Sequence, residues 1–206
     1  MMVQSQSRLA SLAQPRSYAR PRTGQSPQKP QQQQHKEEPE RPRTALPSIE
    51  AAAPDASSLS ALDAVLFLDV DGVLHVANPR YEHQRFRTAQ MSLLREVVRR
   101  CGATIVLSTA WRLRREHRAF LAAKLDEYGL KFRSRTPSLD RFNRPREIGA
   151  WCEKWRPRTW VAVDDLPLGV QDPKRMDGHF VKTRPHLGLD RQAAARIVAL
   201  FDAQKQ

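Results

Sequence analysis

The eleven residues Ala64-Val65-Leu66-Phe67-Leu68-Asp69-Val70-Asp71-Gly72-Val73-Leu74 decide the fold. A strand with one wet face alternates apolar and polar residues, whereas Ala64–Leu68 is apolar throughout. Such a run reads as a strand buried on both faces, the kind found inside parallel sheets. It ends in two acids and a glycine, so the polar chemistry sits at its carboxyl end.

Working outward, Ala103–Leu107 and Thr159–Val163 repeat the buried-strand pattern, His179-Phe180-Val181 is a shorter one, and Lys131–Arg133 is a possible fifth. Between them the apolar residues fall at helical spacing. Met91, Leu94, Val97, Val98 and Cys101 line a helix over 88–101 that Gly102 stops. A basic helix over 113–128 is expected to turn Phe120, Leu121 and Leu125 inward. Asn143 and Pro145 are start signals for a third, burying Ile148, Trp151, Cys152 and Trp155. A closing helix from about Asp190 aligns Ile197, Leu200 and Phe201. Strands alternating with helices predict an α/β fold, a three-layer sandwich around a central, mostly parallel sheet. Residues 61–206 are the expected domain, long enough for one sizeable core.

Residues 1–60 read differently. They hold eight of the 15 prolines and the Gln31–Gln34 run, a composition that cannot bury enough apolar surface to offset the entropy of ordering. A disordered basic tail is expected. Residues 1–36 carry six Lys or Arg and no acid, and Arg16-Ser17-Tyr18-Ala19 is similar to a mitochondrial processing site. The expected location is therefore the cytoplasm, or the mitochondrion if this stretch is a transit peptide. Two cysteines, Cys101 and Cys152, supply neither a disulfide framework nor the paired spacing of a zinc site, so no disulfide-linked partner is expected. No apolar run approaches the roughly 20 residues of a membrane span. Of the chain's net charge of +13, residues 61–206 hold +10, which favours a phosphorylated substrate or a polyanion.

In parallel α/β sheets ligands gather at the carboxyl ends of the strands. Three strands end there in polar residues: Asp69 and Asp71, Ser108-Thr109, and Asp164-Asp165. Carboxylates crowded on one rim repel each other unless a cation sits among them, and an all-oxygen set without His or Cys suits Mg²⁺. Asp69 ends a rigid strand and can serve as nucleophile or metal ligand. Asp71 lies where the chain turns and can face the same site from another angle, within reach of a leaving oxygen. Gly72 lets the backbone approach a ligand closely. Taken singly these residues have ordinary roles: strand-end acids make turns, Ser108 could cap a helix, and Trp111, Trp151 and Trp155 read as core. His75, His83, His117, His179 and His186 show no metal spacing. The joint occurrence of the acids carries the argument.

The ordered set Asp-x-Asp-Gly-Val, Ser after an apolar strand, a basic residue opening a helix and then Asp-Asp resembles the haloacid dehalogenase-like (HAD) phosphohydrolase superfamily across residues 64 to 201. Leu107-Ser108-Thr109-Ala110-Trp111-Arg112, Arg144-Pro145-Arg146-Glu147-Ile148, Val163-Asp164-Asp165 and Leu187-Gly188-Leu189 resemble more closely the HAD domain of the Swiss Army Knife RNA repair proteins. The resemblance implies that Asp69 attacks phosphorus to form an aspartyl-phosphate while Asp71 protonates the leaving group and later activates water. It implies that Ser108 hydrogen-bonds the phosphoryl oxygens, with Gly72, Thr109, Arg112 and Arg146 nearby as phosphate- or substrate-binding residues. It assigns Arg144 to the superfamily's charge-balancing lysine position, with Arg146 as a competitor. The implied Mg²⁺ ligands are Asp69, Asp164 and the Asp71 carbonyl, with Asp165 contacting the metal's waters. Two positions depart from the superfamily pattern: Arg stands for Lys, and Val73 for Thr.

Residues 75–102 and 112–158 leave no room for a large cap domain, so the site is expected to admit a phosphate on a polymer end. Arg112, Arg114, Arg115, Arg118, Arg141, Arg144 and Arg146 could track a nucleic-acid backbone, RNA being the implied partner. The expected function is a Mg²⁺-dependent phosphohydrolase acting on such ends or on another phosphorylated substrate. Two alternatives are a non-catalytic nucleic-acid-binding protein on the same fold and a signalling receiver domain. Receivers place the adjacent acid pair after the first strand, whereas here it comes last.

Overall fold

The computed structural model describes residues 62–139 and 143–206. The expected tail, its targeting signal and Arg141 lie outside the described residues. Strands and helices alternate in the order β1 (Ala64–Leu68), α1 (Thr88–Cys101), β2 (Thr104–Leu107), α2 (Arg115–Asp126), β3 (Phe132–Arg135), α3 (Arg144–Trp155), β4 (Thr159–Asp164), α4 (Leu168–Gln171), α5 (Pro173–Met176), β5 (Phe180–Lys182) and α6 (Arg191–Ala203).

The five strands form one sheet, wholly parallel, in the order β3-β2-β1-β4-β5. The sheet's first strand is central; from it the chain runs outward to β3, then returns to β1's other side. That reversal opens a crevice beyond the carboxyl ends of β1 and β4.

The buried run of β1 faces two cores. Leu66 and Leu68 pack with Leu94 of α1, Leu121 of α2 and Phe201 of α6, while Val65 and Phe67 pack with Ile148 and Trp151 of α3. Trp151 and Trp160 both meet the Phe67 ring edge-on, with centroids 5.2 and 5.7 Å away. No described helix is long and apolar enough to cross a membrane.

Three differences from the sequence reading bear on the site. The basic helix starts later than expected, because Thr109 accepts the Trp111 N–H and folds residues 110–113 into a 3₁₀ turn first. Phe120 is not inward: it is 41% exposed, whereas its neighbour Leu121 is fully buried. One residue turns a helix by about 100°, which carries Phe120 off the core stripe. The two short helices α4 and α5 have too few residues to show a period.

Arg112, expected from the resemblance to bind substrate, lies buried beneath the 3₁₀ turn. Its Nε donates to the Thr136 carbonyl at 3.1 Å, Nη1 to the Thr109 carbonyl at 2.7 Å, and Nη2 to the Pro137 carbonyl at 3.0 Å. Nη2 also pairs with Glu147 Oε2 of α3 at 2.7 Å, both side chains being buried. Glu147 in turn accepts the Leu139 N–H at 3.1 Å, so the pair ties α3 to the segments that follow β2 and β3.

Removing either partner strands the other charge in the interior. Arg112→Met or Glu147→Gln is expected to cost about 3–5 kcal/mol in urea unfolding, with the double apolar variant recovering part of the loss. Single-variant losses below about 1 kcal/mol would show the pair to be as weak as a surface one.

Candidate active site

Parallel register brings the residues at the carboxyl ends of the strands into one row. Asp69 donates its N–H to Val163 O at 3.1 Å, Ser108 to Leu68 O at 2.9 Å, Thr136 to Leu107 O at 2.9 Å and Thr183 to Asp164 O at 2.9 Å. Thr136, Ser108, Asp69, Asp164 and Thr183 therefore lie side by side along the rim, every one of them buried. Five polar residues in one buried row is no packing solution by itself.

Carboxylate oxygens of Asp69, Asp164 and Asp165 lie within 4.8 Å of one another. Arg144, on the first turn of α3, reaches into this group: its Nη1 pairs with Asp164 Oδ2 and stands 3.0 Å from Asp69 Oδ1. The contact to Asp69 has ion-pair distance but not hydrogen-bond alignment, so buried Oδ1 keeps an unused lone pair. Asp164 spends its other oxygen on the Leu166 N–H at 2.8 Å.

Burial raises the Asp69 carboxyl well above its ordinary range, and the Asp164 charge adds to this, against the pull of Arg144. Burial likewise raises Asp164, again opposed by Arg144, and raises the half-buried Asp165. One guanidinium thus under-compensates three acids. An all-oxygen set with an unspent buried lone pair fits a hard divalent cation.

Asp71 is held apart from this group. His75 Nε2 lies 2.9 Å from its Oδ1, and Trp111 Nε1–H donates to its Oδ2 at 2.9 Å. Burial alone would raise its pKa, but these two partners outweigh it and hold Asp71 below the ordinary value. His75 is fully buried and Trp111 partly so. The sequence marks neither: His75 shows no metal spacing, Trp111 reads as core, and their placement four and 40 positions from Asp71 carries no spatial information.

The remaining expected residues divide clearly. Ser108 lies in the row with a buried Oγ that has no hydrogen-bond partner among the described residues. Gly72, at φ +72°, packs so closely on Asp165 that a Cβ there would come 2.4 Å from its Oδ2. Thr109 is fully buried, and its hydroxyl caps the 3₁₀ turn. Arg146 is exposed, and its backbone N–H donates to the Asn143 side chain at 3.1 Å; Arg144, not Arg146, meets the acids. Arg114 and Arg115 are exposed, whereas Arg118 donates to the Arg112 carbonyl at 2.9 Å, so the expected basic track is interrupted.

A carboxyl whose folded pKa is raised contributes its stability fully below the unfolded value, about 4, and loses it as pH climbs toward the folded value. Without divalent metal, Asp164→Asn should therefore gain in thermal stability relative to the parent chain as pH rises from about 4 to about 6, and keep that gain above it. A difference that does not change with pH would show Asp164 to be fully compensated by Arg144.

A search of curated proteins returns no match. A family model described as the HAD domain in Swiss Army Knife RNA repair proteins matches residues 65–194, from β1 into α6. That stretch contains every acid of the row, Ser108, Arg144, and the Asp71 partners His75 and Trp111. The chain belongs to the family of HAD domains found in Swiss Army Knife RNA repair proteins.

Proposed function

We propose that the protein is a Mg²⁺-dependent phosphomonoesterase that works through an aspartyl-phosphate and acts on phosphate ends of nucleic acid, RNA above all. The observation that carries this is the opposite treatment of two acids two residues apart. Asp69 is buried among other acids with a free lone pair, while Asp71 is oriented by His75 and Trp111. The two acids differ in position: Asp69 adjoins the acids of the rim, and Asp71 stands apart with its orientation fixed.

In the first displacement an Asp69 oxygen attacks phosphorus and the ester P–O bond breaks; Asp71, ionised before substrate binds, takes up a proton as the anionic phosphoryl group arrives beside it and delivers that proton to the departing oxygen. In the second, Asp71 takes a proton from a water that attacks the same phosphorus, and the bond to Asp69 breaks to release phosphate. The Ser108 hydroxyl, without a partner of its own, suits a phosphoryl oxygen. Arg144 supplies a planar, permanently charged group beside the attacking oxygen. Asp69, Asp164 and Asp165 would hold Mg²⁺, which supplies positive charge to offset that of the phosphoryl group.

Membership of an RNA-repair family and the short connection between β1 and α1 support the nucleic-acid substrate. Among the described residues, the connection from β1 to α1 holds only a loop with one 3₁₀ turn at Glu82–Gln84.

With 4-nitrophenyl phosphate, Asp69→Asn is expected to cut turnover by about a thousandfold. A chelator should abolish parent activity and Mg²⁺ restore it. Asp71→Asn should slow an alkyl phosphate more than this aryl one, whose leaving group needs less help from an acid. Undiminished release of phosphate by Asp69→Asn would remove Asp69 as the nucleophile.

A further inference from the structure

Beside Asp71 a pocket of about 730 Å³ opens to solvent. One wall is aromatic: Trp111, His117 and Phe120, all from the 3₁₀ turn and α2, with Trp111–His117 and Trp111–Phe120 ring centroids 5.2 and 6.2 Å apart. Phe86 backs this wall from the interior, meeting Trp111 edge-on at 5.6 Å. The facing wall comes from the loop between β1 and α1, with Ala77, Pro79, Glu82 and Arg85. The pocket's size falls in the range that holds small ligands.

Its position gives it a role. The residue that protonates a leaving group must lie within hydrogen-bond reach of the departing oxygen, so the alcohol behind that oxygen extends into whatever space Asp71 faces. That space is this pocket. Its walls state the alcohol's chemistry. Phe120 is 41% exposed although it is a large apolar ring, and Trp111 is half-buried with its N–H committed to Asp71. Exposed, adjoining rings suit a flat aromatic partner. Glu82 and Glu116 also line the pocket, and Arg85, the cation there, is paired to Glu82 at 3.5 Å. With Asp71 these make three carboxylates against one guanidinium, which disfavour a second phosphate inside the pocket itself and offer acceptors to the amino groups of a heterocycle.

We propose that this pocket seats the base of the nucleoside that leaves, making the substrate a phosphomonoester of a nucleoside, free or at a chain end, and not a sugar or polyol phosphate. The proposal rests on the phosphohydrolase reading above. Phe120 and His117 act in it as specificity-determining residues, and Trp111 serves both the pocket and Asp71.

The test compares kcat/KM for adenosine 3′- and 5′-monophosphates, the same phosphates on the ends of a short RNA, and ribose 5-phosphate, all with Mg²⁺. The parent chain is expected to prefer adenosine esters over ribose 5-phosphate by about tenfold or more, and Phe120→Ala to cut that ratio by about tenfold through KM. A ratio unchanged in Phe120→Ala, with phosphate still released, overturns the pocket and leaves the phosphohydrolase reading standing. Preference for the RNA end over the free nucleotide, or the reverse, identifies which source of the nucleoside the pocket serves. Phosphate-free adenosine is titrated in parallel by tryptophan fluorescence. If no phosphate ester is turned over, the phosphohydrolase reading falls. Saturable quenching by adenosine, weakened in Phe120→Ala, then still supports the pocket, and its absence overturns it.

Discussion

Mutual repulsion of carboxylates at the ends of two neighbouring strands is the constraint around which this domain is built. Parallel pairing puts Asp69 and Asp164 next to each other, because Leu68 registers with Val163. Burial then denies them the water that would screen their charge. Among the described residues Arg144 is the counter-charge that touches both, and it has to come from outside the sheet. The placement of α3 therefore matters as much as that of the strands. Three residues beyond Arg144, Glu147 anchors that helix through the buried pair with Arg112, and Asn143 caps its first turn. The ion pair that appears purely structural thus sets the position of the residue that answers the acids.

The loop after β1 is braced from the far end of the chain. Thr183 Oγ donates to the Gly72 carbonyl at 2.7 Å, and the Leu189 N–H to the Val73 carbonyl at 2.7 Å. Gly188, at φ +75°, approaches Val73 so closely that a Cβ would come within 2.6 Å of its carbonyl oxygen. Gln90 of α1 donates to the Leu187 carbonyl at 2.8 Å, which closes the bracket. The Leu187-Gly188-Leu189 stretch earns its place as a support for the first acidic loop rather than through contact with the acid group.

With that loop held, an aromatic patch separates two regimes. On one side lie the under-compensated acids and the unpartnered Ser108 hydroxyl. On the other lies the open pocket. Trp111 stands at the border, giving its N–H to Asp71 and its ring to the pocket wall. Both cysteines stay out of this chemistry: burial raises the Cys101 thiol and pushes Cys152 up to about 12, far from a reactive thiolate.

The buried run at Ala64–Leu68, the helix over 88–101 and the alternation of elements were legible in the sequence because each depends on local periodicity. The acids were legible for a related reason: a charged residue ending an apolar strand has few places to go except the sheet's carboxyl rim. Arg144 against Arg146 stayed open, since two residues on one helical turn differ only in direction. Arg112, Phe120, His75 and Trp111 were beyond reach for a deeper reason. Whether an arginine meets phosphate or a buried glutamate, and whether a tryptophan closes a core or orients an acid, depends on what another part of the chain brings to it. Sequence alone determined which groups gather at the rim, through period and charge; tertiary packing decided which of them face each other, because ion pairing and hydrogen bonding act over a few ångströms of space and not along the chain.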